Sequence, residues 1–189
     1  GPVPDKIKPR VQETAKSLWI IYLGLTAIQV VLLSFGGMNF FDSLCHSFTT
    51  VAIGGFSTKN ASIAHFNSAY IEYVIIFFMF IAGVNFTLHW KAIISSRPLI
   101  YFGDGEFKFY GAAILIVTFF LALNLFLQSG ELTHDIFRDS LFQTISIITT
   151  TGFGTSDYEL WPIFSQAVLL SLMFIGAMGG STGGGMKVI

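Results

Sequence analysis

The stretch "ITTTGFGTSD", Ile148 to Asp157, decides how the rest of the chain is read. Three threonines lead into Gly152-Phe153-Gly154, and no charge occurs before Asp157. A small, polar, uncharged loop in an oily chain needs a reason to be there. The apolar "LFQTISIIT" (141–149) before it is far shorter than the ~20 residues that cross ~30 Å of hydrocarbon. It suits a helix that enters a membrane from one side and stops part-way. Irregular backbone at that depth is tolerated only where it is buried in protein or lines a watery cavity.

Composition supports a membrane setting. The 189 residues are 53% hydrophobic and 11% charged, with 21 phenylalanines, whereas a soluble domain is about a quarter charged. Ser17–Phe35, Tyr73–Trp90, Phe109–Leu127 and Trp161–Met186 each lack any charge over about the length of a span, so four crossings are expected. The opening "GPVPDKIKPR" is polar and proline-rich, without the pattern of a signal peptide. With no initial Met and an abrupt "GGGMKVI" at the end, the chain reads as a fragment. The lone Cys45 excludes an internal disulfide.

Charge sets the expected orientation through the excess of Lys and Arg in cytoplasmic loops. Lys6, Lys8, Arg10, Lys16, Lys91, Arg97, Lys108 and Lys187 flank the spans on one side, and only Lys59 and Arg138 fall on the other. Both ends of the chain and the 91–108 link are therefore expected in the cytoplasm. Asp42, Glu72, Glu131, Asp135, Asp139, Asp157 and Glu159 lie in the outer segments, 36–72 and 128–162. Such a negative face concentrates cations and disfavours anion transport.

Sliding the chain on itself exposes a repeat. At the offset that lays Asp139 on Asp42, "DSL" matches "DSL", and Gly55, Phe56 and Thr58 meet Gly152, Phe153 and Thr155 without a gap: six identities in seventeen positions. The fold class expected is an all-α integral membrane protein made of two copies of span, pore helix, extended loop and span. The segments are 1–16 cytoplasmic, 17–90 one repeat, 91–108 a cytoplasmic linker and 109–189 a second repeat. Asp42 and Asp139 stand where a side-chain oxygen caps a helix start. A helix entering from outside turns the negative end of its dipole toward the membrane centre, which favours a desolvated cation.

The loops then read as a filter. Rings of backbone carbonyls replace the hydration shell of a cation such as potassium, and glycine permits the angles that turn carbonyls inward. The expected potassium-binding residues are Ile53, Gly54, Gly55 and Phe56 in one loop and Thr150, Thr151, Gly152 and Phe153 in the other. The alternative for either loop is a re-entrant turn with a structural glycine. Ile53-Gly54-Gly55 departs from the threonine-rich Thr150-Thr151-Gly152, so the two loops are not strictly equivalent.

The motifs "TVAIGGFSTKNAS" (50–62), "TTTGFGTSDYELWP" (149–162) and "GGSTGGGMKVI" (179–189) together resemble the Trk/Ktr/HKT superfamily of potassium uptake proteins, in particular its bacterial TrkH branch. The resemblance implies four such repeats around one pore, of which this chain would hold the second and third. It further implies a homodimer and a cytosolic nucleotide-binding regulator of the TrkA type, in the bacterial inner (plasma) membrane.

"GAMGGSTGGGMK" (176–187) puts six glycines into the expected fourth span. Each costs a helix about 1 kcal/mol against alanine, so a break is expected there. Tight helix packing through small residues is the other reading. No strand is expected before the stretch, and phosphate-loop spacing is absent. Gly179, Gly180, Ser181, Thr182, Gly183, Gly184 and Gly185 are expected to form a mobile gate under the filter, and the resemblance implies the same intramembrane loop.

His46 is expected to be a packed, hydrogen-bonded residue, and His89 with Trp90 an interfacial anchor. Asn85 and Asn124 are expected to bond across helices. His65 and His134 lack metal-ligand spacing. No triad, carboxylate pair or nucleotide fingerprint is present in the sequence. An enzyme, a resident cofactor, a metal other than transported potassium and a nucleic-acid partner are therefore not expected, and lipid is. Rivals to potassium uptake are a sodium-selective or sodium-coupled relative and a non-conducting assembly subunit.

Overall fold

The computed structural model describes residues 7–97, 99–131 and 133–188. Part of the expected N-terminal cytoplasmic segment, residues 1–6, lies outside them. The chain is built from eight helices and one small pair of strands among these residues. Helix α1 (Ile7–Phe35) ends at Gly36 and Gly37, where a φ of +93° at Gly37 lets Met38 N–H close back on Leu33 O at 3.2 Å. Asn39 then caps the short helix α2 (Phe40–Val51) by accepting from Asp42 N–H at 2.8 Å. An extended loop and a 3-10 turn (Ser62–Phe66) lead to α3 (Ala69–Ala82), which Ser68 caps. After α4 (Phe86–Ser95) and α5 (Ile100–Gly103), α6 (Gly105–Ser129) starts under an Asp104 cap and stops at Gly130. The second short helix is α7 (His134–Ile148), capped by Thr133, followed by a second loop and α8 (Ile163–Leu172).

Two of the four expected spans form as single helices. Ala15–Phe35 of α1 and all of α6 are long and apolar enough to cross a membrane. The stretch expected as a straight span over Tyr73–Trp90 is instead broken between α3 and α4, whose axes meet at 94°. Gly83 ends the first piece and Asn85 caps the second, accepting from Thr87 N–H at 2.8 Å. The fourth span also differs. α8 has ten residues, about 15 Å at ~1.5 Å per residue, half of what a bilayer requires. Beyond it the chain is extended: β1 (Ile175–Met178) pairs in parallel with β2 (Met186–Val188), Ile175 opposite Met186 and Met178 opposite Val188. The class remains helical, with this small pairing as the exception.

The core lies between the two short helices and the spans that flank them. Phe78, Ile75 and Met79 of α3, Tyr110 and Leu121 of α6, and Phe142 and Ile148 of α7 are all buried. Outward faces of α1 and α6 stay apolar, with Trp19, Leu23, Val31, Leu115, Ile116 and Phe119 exposed. In a bilayer that is no contradiction, because lipid chains are as apolar as leucine.

An ion pair joins the two copies near the starts of α3 and α7. Arg138 of α7 donates through Nε to Glu72 Oε2 of α3 at 2.5 Å, and its Nη1 reaches Asp135 Oδ1 at 2.8 Å. Glu72 is buried, so deleting one partner strands a desolvated charge. Arg138→Met is expected to cost about 3 kcal/mol, Glu72→Gln less because Asp135 still pairs with Arg138, and the double variant less than the sum. Thermal unfolding of the full-length protein in detergent, run as a double-mutant cycle, measures this.

Candidate pore loops and the loop beneath them

The sequence repeat is also a repeat of hydrogen bonds. In the first copy, Thr49 Oγ1 of α2 donates to Phe56 O at 2.8 Å. In the second, Ser146 Oγ of α7 donates to Phe153 O at 2.6 Å. Gly54 and Gly55 N–H both point at Thr49 O (2.7 and 3.3 Å), as Thr151 and Gly152 N–H point at Ser146 O (2.9 and 3.2 Å). Positive φ recurs at matching places: Ile53 (53°) with Thr150 (62°), and Gly55 (64°) with Gly152 (86°). A β-branched residue at positive φ is an outlier that persists only where its surroundings over-determine it. Here the same outlier is held twice by equivalent bonds.

The two aspartates are not the helix caps expected of them. Asn39 and Thr133 cap, while Asp42 and Asp139 lie a turn inside and brace the far end of each loop. Asp42 Oδ1 accepts from Thr58 Oγ1 at 2.5 Å, and its Oδ2 meets Lys59 Nζ at 3.0 Å. Asp139 Oδ1 accepts from Thr155 Oγ1 at 3.2 Å. His46 is packed and bonded as expected, its Nδ1 at 2.7 Å from Asp42 O and its Nε2 at 2.9 Å from Ser57 Oγ. At the matching position of the second copy, Gln143 Nε2 donates to Ser156 O at 3.1 Å. Thr49 and Ser146 fall on each other in the repeat as a pair of hydroxyls rather than an identity, so identity alone does not mark them.

The loops also touch each other. Ile63 and Ala64 N–H donate to Gly154 O at 3.1 and 3.2 Å, and Gly154 N–H donates to Ser62 Oγ at 3.2 Å. A Cβ on Gly55 would overlap the Thr151 carbonyl, whereas one on Gly152 would meet nothing within 4 Å. The phenylalanines diverge as well. Phe153 is 2% exposed and lies against the His46 ring of the first copy (centroids 5.9 Å apart), while Phe56 is 78% exposed.

Below the loops, residues 179–185 form turns rather than helix, as the glycine count indicated. They are stitched into the break between α3 and α4. Met178 N–H donates to Gly83 O at 3.1 Å, and Phe86 N–H donates to Gly180 O at 3.0 Å. Thr182 Oγ1 donates to Val51 O (2.9 Å) or Ala82 O (3.2 Å), and Gly184 N–H donates to Thr150 Oγ1 at 2.8 Å. Glu106 Oε1, on the first turn of α6, accepts from Gly179 N–H at 2.5 Å. The Thr182 hydroxyl satisfies carbonyls at the helix breaks, as its place in the glycine-rich stretch suggests, whereas sequence reading missed Glu106 and Thr150 as partners, since nothing in their spacing relates them to it.

The remaining polar residues sort plainly. Asn124 bonds across helices as expected, accepting from Ser165 Oγ at 2.7 Å. Asn85 does not; it is the cap of α4. His89 is buried, not an interfacial anchor, because the bend folds it inward: its ring lies 2.9 Å from both Ile81 O and the Tyr101 hydroxyl. No cluster of three metal-binding side chains occurs among the described residues.

A membrane protein that twice repeats span, buried short helix and bonded extended loop is the class this architecture defines. The family described as "Cation transport protein" (TrkH) matches residues 3–189. The chain belongs to the TrkH family. It is 46% identical over 194 residues to the Trk system potassium uptake protein TrkH of Vibrio parahaemolyticus, covering 100% of this chain and 40% of that protein. Against the Escherichia coli protein of the same name it is 44% identical over 195 residues, again 100% of this chain and 40% of the relative. The crystal structure of TrkH from Vibrio parahaemolyticus superposes with a TM-score of 0.90 at 43% identity, over 95% of this chain and 39% of that one. The chain thus spans about two fifths of the length of these relatives.

The two loop glycines are predicted to differ in what a methyl group does. Gly152→Ala meets only the cost of positive φ, roughly 1–2 kcal/mol. Gly55→Ala must also push the Thr151 backbone, which adds about 1–3 kcal/mol. A lower unfolding temperature for Gly55→Ala than for Gly152→Ala, in the full-length protein, is the expected result.

Proposed function

We propose that this chain supplies two of the carbonyl-lined loops of a potassium uptake pore, together with an intramembrane gate. Potassium is the transported substrate, dehydrated at the carbonyls of Ile53–Phe56 and Thr150–Phe153. The observation that carries the reading is the paired positive φ at Ile53/Thr150 and Gly55/Gly152, fixed by equivalent bonds from α2 and α7. Alternation of backbone hand brings successive carbonyls toward one side, the arrangement a carbonyl filter needs. Related proteins named for potassium uptake support the choice of ion.

The open side of each loop supports a pore completed by further chain. Phe153 is covered by the preceding copy, through His46, whereas Phe56, at the matching position, is largely exposed among the described residues. Another copy before the first would bury Phe56 in the same way. The segments 17–90 and 109–189 are accordingly proposed as the second and third of four repeats, joined by a cytoplasmic 91–108 link. The excess of Lys and Arg on that side supports cytoplasmic placement of both ends. A homodimer in the bacterial inner membrane and a TrkA-type nucleotide-binding partner complete the proposal.

Residues 179–185 are proposed as the gate. Their neutral bonds to Phe86, Ala82 and Thr150 hold them under the loops without a helix to fix them. A low barrier between two arrangements lets a regulator shift the open population with a few kcal/mol.

Two measurements in full-length protein reconstituted in liposomes test the reading. Gly152→Ser is expected to lower rubidium uptake at low external concentration or to admit sodium; unchanged uptake and selectivity would rule out the carbonyl filter. Deleting Ser181–Gly183 is expected to raise flux in the absence of any regulator while preserving selectivity. Unchanged or abolished flux in a correctly inserted deletion variant would assign the segment to packing.

A further inference from the structure

The bonds that hold residues 178–184 are not of one kind. Those to Gly83 O, Ala82 O, Phe86 N–H and Thr150 Oγ1 join neutral groups. The bond at Gly179 is different, because its acceptor is the carboxylate of Glu106. Bonds with an ionised partner are roughly twice as strong as neutral ones.

Its position is also distinct. Glu106 belongs to the first turn of α6, a helix of 25 residues whose start is fixed by the Asp104 cap (Phe107 N–H to Asp104 Oδ1, 2.9 Å). Gly179 is the first residue after β1, at the root of the loop rather than its tip. The same carboxylate oxygen lies 3.4 Å from where a Cβ of residue 179 would stand. That is ordinary van der Waals contact, so the carboxylate lies directly against the root of the loop. The tip is held elsewhere, by Thr182 at Val51 and by Gly184 at Thr150.

We propose that Glu106 is a positioning residue for the loop, a latch that fixes its root to the entrance of the second repeat and so favours the closed arrangement. The inference rests on residues 179–185 being the gate and adds the group that sets its resting state. Swinging the tip away from Thr150 and Val51 while Gly179 stays bonded to Glu106 leaves the root anchored beneath the loops. Releasing Gly179 frees the whole segment. The carboxylate touches no filter carbonyl, so its loss alters how often the path is open and not which ion passes.

The test uses full-length protein in liposomes, without a regulator, reading rubidium flux and the rubidium-to-sodium ratio. Glu106→Ala is expected to raise flux roughly tenfold, equivalent to about 1.4 kcal/mol, with the ratio unchanged. Glu106→Gln keeps an acceptor oxygen but loses the charge that strengthens the bond, so its flux is expected between those of the wild type and the alanine variant. A rubidium-to-sodium ratio that shifts in either variant means that the carboxylate acts through its charge on the ion path, and the latch is refuted. A second readout does not depend on flux: Ser181→Cys in a Cys45→Ser background should react faster with a cytoplasmic thiol reagent when Glu106 is alanine. Equal rates refute the latch. Should the Ser181–Gly183 deletion raise flux while Glu106→Ala changes neither flux nor labelling, the gate stands and the latch falls. If neither variant changes flux, the gate itself is wrong and the latch with it.

Discussion

Everything in this structure depends on satisfying backbone groups where a helix stops inside an apolar environment. Water cannot serve there, and each unpaired amide costs several kcal/mol in hydrocarbon. The chain breaks its helices in four such places: after α2, after α3, after α7 and after α8. The breaks are closed in two ways. The ends of α2 and α7 bond their own following loops through Thr49 and Ser146. The end of α3 and the start of α4 are closed by Met178, Gly180 and Thr182, which belong to the break after α8. Two defects that would each be costly alone are thus complementary halves of one arrangement.

That reciprocity explains why the second span bends by 94°. Gly83 offers no side chain, and a Cβ there would strike the Tyr110 hydroxyl. Asn85 offers a cap for a new helix. Neither would suffice to abandon helical bonds in a membrane without replacement partners. The glycine-rich segment provides them, and it can do so because glycines let its backbone approach closely: Gly180 lies against the Asn85 side chain.

The two copies are alike in the bonds that shape each loop and unlike in what surrounds them. Asp42 engages Lys59 as well as Thr58, whereas Asp139 engages Thr155. His46 faces Gln143 across the alignment, both bonding just beyond their loops. The backbone conformation is therefore conserved between copies by bonds from different side chains, so sequence identity between the copies understates their structural likeness. The buried Glu72–Arg138 pair belongs to neither copy alone and fixes how one sits against the other.

The sequence by itself determined the membrane class, the two-copy plan, the short helices and the non-helical glycine segment. These follow from local quantities: runs without charge, a repeated motif, and a glycine density no helix tolerates. It also identified Asn124 and His46 correctly, as polar groups in apolar runs that must find partners. Only the tertiary structure decided that Tyr73–Trp90 is broken, that Asn39 and Thr133 cap the helices which Asp42 and Asp139 were expected to cap, and that His89 turns inward to Ile81. It alone brought Glu106 to Gly179 and Thr150 to Gly184. Those pairings join residues far apart in the chain. Their bonds end on backbone amides, which every residue carries and no sequence pattern marks. A side chain's choice among them is settled only when packing has placed one break beside another.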